Sequence, residues 1–228
     1  MFTKNTDESI HALAEVALIA QIRRWLGAVA PSSPQGMGDD CAVVDWPKGM
    51  KQILTTDSLS YGQHFDDSVS AHDAGAKLIK RNLSDIAAMG GRPGEALLNL
   101  LSGGDLQTDW LAAFFDGICD ACQEYDLTIV GGDISTLPNG QFTAVLSLTG
   151  YSEKTPLLRK GAQAGDALYV TGTLGGSLLK KHYNFKPRLT EGQWLAQSNA
   201  CSALMDITDG LAKDLRELIP DGCAAYLV

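Results

Sequence analysis

Positive charge is in short supply in this sequence. Across 228 residues, 18 lysines and arginines face 27 aspartates and glutamates, a net charge of −9 at neutral pH. That balance excludes nucleic acid as a main partner, because phosphate backbones are held by clustered cations. A small anionic ligand stays open if metal ions supply the compensating charge. Long apolar runs are missing too: no stretch of about 18 apolar residues exists, so no membrane partner is expected. The opening Met-Phe-Thr-Lys-Asn-Thr-Asp-Glu lacks the basic-then-apolar build of a secretory signal. Cysteine is sparse, with five residues (Cys41, Cys119, Cys122, Cys201, Cys223) at irregular spacings. Reduced thiols and a cytoplasmic location are expected. Cys119 and Cys122 lie inside the amphipathic run 110–125, which reads as core packing in preference to a redox or zinc pair. Internal repeats and low-complexity tracts are absent.

What is present is a globular chain, 45% apolar and 20% charged, in which apolar stretches alternate with glycine-rich turns. Apolar residues at helical spacing predict helices over 8–26, 71–89, 106–125, 191–199 and 209–218. Strands are expected at 41–45, 52–56, 96–102, 127–130, 141–150, 167–171 and 203–205. The composition shift over 151–165, rich in Ser, Lys, Pro and Gly, marks a domain boundary, dividing the chain into 1–152 and 153–228.

Seven aspartates stand where the chain leaves a strand or enters a helix: Asp39, Asp40, Asp57, Asp85, Asp133, Asp206 and Asp209. Singly, an Asp beside Gly is usually a turn or cap residue. Together they would suit hard cations, since Mg²⁺ is held by carboxylates and substrate phosphate oxygens. Two carboxylates about 4 Å apart repel by roughly 4 kcal/mol at an effective dielectric near 20. A gathered set therefore implies metal, and a scattered set implies caps; sequence leaves both open. The turn Gly172-Thr173-Leu174-Gly175-Gly176-Ser177 reads either as an ordinary tight turn or as a phosphate contact before a helix. It lacks the endings of a P-loop or a dinucleotide fingerprint. Arg159-Lys160 and Lys180-Lys181-His182 read as solvated surface or as phosphate-facing cations. His64 reads as a structural loop residue or a general base.

Six strings lie in one order along the chain: GMGDDCAVV, TTDSLSYGQHF, KRNLSDIAAMGGRP, IVGGDIS, LLRKGAQAGDALYVTGTLGGS and MDITDGLAKDL. In this wording and spacing the chain resembles thiamine-monophosphate kinase over roughly residues 15–220. The resemblance implies a two-domain α/β (α+β) fold of the aminoimidazole ribonucleotide synthetase type. Its N-terminal domain, 1–152, would bind ATP and Mg²⁺ and pair its sheet across a homodimer; 153–228 would be a shortened C-terminal domain. The implied activity is phosphorylation of thiamine monophosphate by ATP, in-line and metal-assisted, with no side-chain nucleophile. By motif, Asp39, Asp40, Asp57, Asp85, Asp133 and Asp209 would hold metal, with Asp133 and Asp209 positioning the phosphates. Thr56, Ser58, Gly132, Arg159, Gly172, Thr173 and Ser177 would lie towards the nucleotide, and His64 and Phe65 towards the substrate.

The chain departs from the family pattern in three places. Ile134-Ser135-Thr136 follows Asp133 where the family reads Thr-Thr-Arg; only Leu-Leu-Lys-Lys separates Ser177 from His182; and Val228 stands before the family's Gly-Glu-Asp-Tyr-Glu-Leu motif. Two rival readings follow. One is another ATP-dependent reaction of the superfamily, although selenide chemistry would call for an early Cys followed by Lys and none precedes Cys41. The other is a truncated, non-catalytic nucleotide-binding paralogue.

Overall fold

The computed structural model describes residues 1–37 and 41–226; Asp39 and Asp40 lie outside the described residues. Four strands form one mixed sheet: β1 (Lys51–Ser60), β2 (Arg92–Gly103), β3 (Thr128–Leu137) and β4 (Phe142–Ser152), in the order β1-β4-β2-β3. β4 runs antiparallel to both β1 and β2, while β3 runs parallel to β2. Parallel pairing of β2 with β3 requires a crossover, and α3 (Thr108–Tyr125) supplies it.

α2 (Ala71–Ala88) lies against β1, β4 and β2, with α3 beside it. Ser70 caps α2 reciprocally: its Oγ accepts from the Asp73 N–H at 3.0 Å and donates to the Asp73 carboxylate at 2.8 Å. The two helices meet backbone to backbone. A Cβ on Gly75 would stand 2.0 Å from the Phe114 carbonyl oxygen, and one on Gly117 would stand 1.9 Å from that of His72, so only glycine allows this approach. Alternation along the strands sends Ala96, Leu98 and Leu100 of β2 and Ala144, Leu146 and Leu148 of β4 into the core. Phe114, Phe115, Ile118, Leu78, Ile79 and Leu83 meet them from the helices. α1 (Glu15–Leu26) packs on α3, its Trp25 stacked 5.5 Å from Phe115. α4 (Leu189–Ser198) docks on the end of α2, and α5 (Leu211–Leu218) is short.

Several expectations are corrected. The helix expected from residue 8 starts at Glu15, because Ile10 and His11 give their N–H groups to Leu106 and Gly104 instead of to a helical turn. Segment 41–45 is no strand: Val43 bonds to the Pro34 carbonyl, and Val43 and Val44 remain exposed. Segments 167–171 and 203–205 are also outside any ladder; in the second, the one backbone-to-backbone bond between described residues is Leu204 N–H to the Leu158 carbonyl at 2.9 Å. Apolar composition favours a strand only where a neighbour accepts its backbone groups, and none runs alongside these segments among the described residues. In contrast, β3 continues through Gly131-Gly132-Asp133 to Leu137, because β2 stays beside it to Gly103. The cysteine reading holds: burial pushes the Cys122 thiol up to about 12 and the Cys119 thiol up to about 11.

Candidate functional site

A polar seam runs between α2 and β1, inside an otherwise apolar contact. On β1 the helix-facing residues are Ile53, Thr55, Asp57 and Leu59, apolar at the ends and polar in the middle. α2 answers with Lys77, Arg81 and Asp85, four residues apart and therefore on one stripe. The later chain closes each step from outside, so the seam has three rungs.

At the first rung, Thr55 Oγ1 donates to the Asp85 carboxylate at 2.5 Å, and Ser84 Oγ donates to Asp206 at 2.9 Å. Burial raises the Asp85 pKa; the neighbouring Asp206 and Asp57 charges push the same way, while the Thr55 hydroxyl and Arg159 oppose. The exposed Arg159 is brought here by the Leu204–Leu158 bond.

At the second rung, Arg81 grips Asp57 with Nε and Nη2, each 2.8 Å from one carboxylate oxygen, while Nη1 donates to the Ser58 carbonyl at 2.9 Å. Asp209 stands outside this pair. A hydrogen bond from Lys213 holds its carboxyl below the usual range, with the Arg81 charge adding a little.

The third rung is basic. The Lys77 ammonium, 7% exposed, donates to the His64 carbonyl at 2.5 Å and meets His182 Nδ1 at 2.8 Å. Burial, with Arg81 nearby, pushes Lys77 down to about 8. His64 Nδ1 accepts the Ser60 N–H at 2.9 Å, and burial lowers its pKa as it does that of His182.

The loop carrying Asp206 and Asp209 is pinned by Asp214. This residue is 5% exposed, and its Oδ2 accepts the backbone N–H groups of Thr208, Asp209 and Gly210 at 2.8, 3.0 and 3.1 Å. A carboxylate receiving several backbone donors fixes a turn firmly.

Of the aspartates expected together, Asp57, Asp85, Asp206 and Asp209 do gather at this seam. Asp133 does not. It pairs with Asn99 in the β2–β3 register, on the face turned away from the helices. Strand alternation puts the Thr56 and Ser58 side chains on that same far face, with Thr56 Oγ1 3.1 Å from Ser147 Oγ. Gly132 stands opposite Leu98, where a Cβ would strike the backbone. Phe65 is a core residue, stacked on Trp110 at 6.1 Å and edge-on to Phe142, so its ring is used in packing and not offered to a ligand. The 172–177 turn is exposed; Lys181 reaches the Thr173 carbonyl, and Gly172 lies against the Arg188 guanidinium. Thr55, Lys77, Arg81 and Asp214 escaped the reading of the sequence. The Lys-x-x-x-Arg-x-x-x-Asp spacing was the available signal for the two cations.

Among the described residues no three carboxylates, imidazoles or thiols converge to hold a cation unaided. The Asp85–Asp206 end nevertheless fits Mg²⁺: its donors are all oxygens, two are carboxylates, and the raised Asp85 pKa is a cost that a cation would remove. Mg²⁺ commonly uses one or two carboxylates and takes its other ligands from phosphate and water.

Comparison with known proteins agrees with this architecture. Residues 38–152 match the family described as AIR synthase related protein, N-terminal domain. The thiamine-monophosphate kinase of Rhodopirellula baltica is 39% identical over 197 residues, covering 83% of this chain and 62% of that protein. The chain thus spans less than two thirds of that relative's length. The Salmonella typhimurium thiamine-monophosphate kinase is 32% identical over 237 residues, covering 94% of this chain and 71% of that protein. The structure of AaThiL complexed with AMPPCP and TMP superimposes with a TM-score of 0.70 at 31% identity, covering 96% of this chain and 72% of that chain. With relatives of this similarity and coverage, in sequence and in fold, the chain belongs to the thiamine-monophosphate kinase family.

Proposed function

We propose that this chain transfers the γ-phosphoryl group of ATP to the phosphate of thiamine monophosphate, giving thiamine diphosphate and ADP. The observation that carries this reading is the seam itself, with carboxylates at one end, a guanidinium in the middle and a buried ammonium at the other. A phosphate oxygen of the acceptor attacks the γ-phosphorus in line; the new P–O bond forms as the bond to the β-phosphate oxygen breaks. The residue types support electrostatic positioning, with no covalent intermediate on the protein. Asp85 and Asp206 would hold Mg²⁺, with Asp39, Asp40 and Asp209 as further carboxylates. When bound, Mg²⁺ supplies charge neutralisation at the phosphates. Arg159 and the 172–177 turn would face the nucleotide, and His64 the acceptor.

The chain is proposed to act as a homodimer. The sheet face opposite α2 carries Leu54, 69% exposed, and Leu97, 47% exposed, an apolar pair that supports pairing with a second sheet. Asp133, Thr56 and Ser58 lie on that face and would then serve the shared interface. A boundary near Ser152, where β4 ends, would divide the chain into 1–152 and 153–228. No described helix is long and apolar enough to cross a membrane; the proposed location is the cytoplasm, where ATP is available.

The test is ADP release by the full chain with ATP and Mg²⁺, with and without thiamine monophosphate. Release that requires thiamine monophosphate and disappears in Asp85→Asn is expected. A folded protein that releases no ADP with both substrates present would overturn the proposal.

A further inference from the structure

Asp57 belongs by motif with the metal-holding aspartates, yet both oxygens of its carboxylate are already engaged. Both oxygens accept from one guanidinium at 2.8 Å, and one of them also accepts the Ser58 N–H at 2.8 Å. The pair is half-buried, with side chains 25% and 28% exposed. A third bond, Nη1 to the Ser58 carbonyl at 2.9 Å, fixes the plane of the fork against β1. Planar two-point pairing of this kind is the strong form of an ion pair, and an ammonium cannot reproduce it. A divalent ion entering here would have to displace the guanidinium and leave that charge between Lys77 and the β1 backbone.

We infer that Arg81 is the built-in cation of Asp57: it takes the place of a divalent ion on that carboxylate and leaves divalent cations to Asp85 and the loop that carries Asp206 and Asp209. The inference deepens the phosphoryl-transfer reading and rests on it for the role of the cations. A guanidinium has five N–H donors. Three are committed to Asp57 and Ser58, which leaves one on each terminal nitrogen for an anionic group in the site. The Arg81 charge also reaches beyond Asp57: it adds to the burial that lowers the His64 and Lys77 pKa values and, more weakly, to the Lys213 bond that lowers that of Asp209. One fixed positive charge in mid-seam thus does for Asp57 what a metal ion would do, without depending on metal supply.

The experiment counts Mn²⁺ bound per chain, from the paramagnetic resonance signal of the free ion, without ATP or thiamine monophosphate. In the wild-type chain the Mn²⁺ that binds should be lost in Asp85→Asn and retained in Asp57→Asn. Arg81→Met should gain one Mn²⁺ per chain, and Asp57→Asn added to it should remove that ion. A fall in the wild-type count on Asp57→Asn alone would overturn the inference, and that comparison holds even if Arg81→Met fails to fold. A folded Arg81→Met with no added ion would overturn it equally. Because the count needs no turnover, an absence of ADP release would defeat the proposed reaction and leave this result to be judged separately.

Discussion

Asp214 touches no ligand in the proposed reaction, yet it should govern where Asp206 and Asp209 stand. In Asp214→Ala, three backbone donors lose a charged acceptor. Hydrogen bonds to charged groups contribute about 1.5–3 kcal/mol each, but here one oxygen serves all three and water reaches the freed groups, so the sum is about 3 kcal/mol. That is a little over a hundredfold in the opening equilibrium of the loop. The loss should be local, because residues 208–210 are exposed and contribute little to the core. Amide hydrogen exchange reads it directly. Thr208, Asp209 and Gly210 should lose protection by about two orders of magnitude, while the amides of Leu83 and Ile86 in α2 serve as unchanged references. Asp214→Asn keeps an acceptor without the charge and should fall about halfway, by roughly 1.5 kcal/mol. ADP release should drop in the same order, through kcat more than through the KM for ATP. Unchanged exchange at 208–210 in Asp214→Ala would refute the pinning role.

Two further predictions concern pH. Lys77 falls from its ordinary 10.5 to about 8 in the fold, so between those values the unfolded chain holds a proton that the folded chain does not. Stability from this group therefore rises with pH across that window; the urea midpoint of the wild type should climb relative to Lys77→Met, and parallel profiles would contradict the assignment. Asp85 is shifted the other way. Its penalty is fully present above the raised folded value and disappears as pH falls through that value towards the ordinary carboxylate one. Asp85→Asn should consequently melt higher than the wild type at neutral pH in chelator, while losing the upward shift that Mg²⁺ gives the wild type. A lower melting temperature in chelator would count against the strained carboxylate.

The helices and the sheet were largely legible because their apolar periods are long. α2 and α3 were placed within a residue or two of their observed bounds, β1 and β2 each contain the strand expected from the sequence, and β4 begins one residue after the expected start. The gathering of Asp57 with Asp85 was legible as a motif, but the side of the sheet was not. Whether Asp133 faces the helices depends on the register of β3 against β2, and a shift of one residue reverses it. Arg81 and Lys77 were missed because basic residues on an amphipathic helix usually face solvent. Only the polar Thr55 and Asp57 across the seam turn that stripe inward. The segments 167–171 and 203–205 have strand composition, but local preference cannot supply the partner a ladder needs.

The seam also has a gearing. Four residues of helix advance about 6 Å, and two residues of strand advance about 6.7 Å, so the side chains of α2 and β1 mesh at nearly equal pitch. A slip by one tooth would set Lys77 against Asp57 and Arg81 against Thr55, still pairing a cation with the carboxylate. Electrostatics alone would barely tell the two registers apart. Ile53 and Leu59, buried at either end of the polar teeth, act as stops, because the slip would drive one of them against a charged rung. A single insertion between Lys77 and Asp85 would turn the rungs beyond it by about 100° relative to those before it and disengage the gear. Length variation in descendants of this chain should therefore collect in its loops, while the span from Lys77 to Asp85 keeps its count.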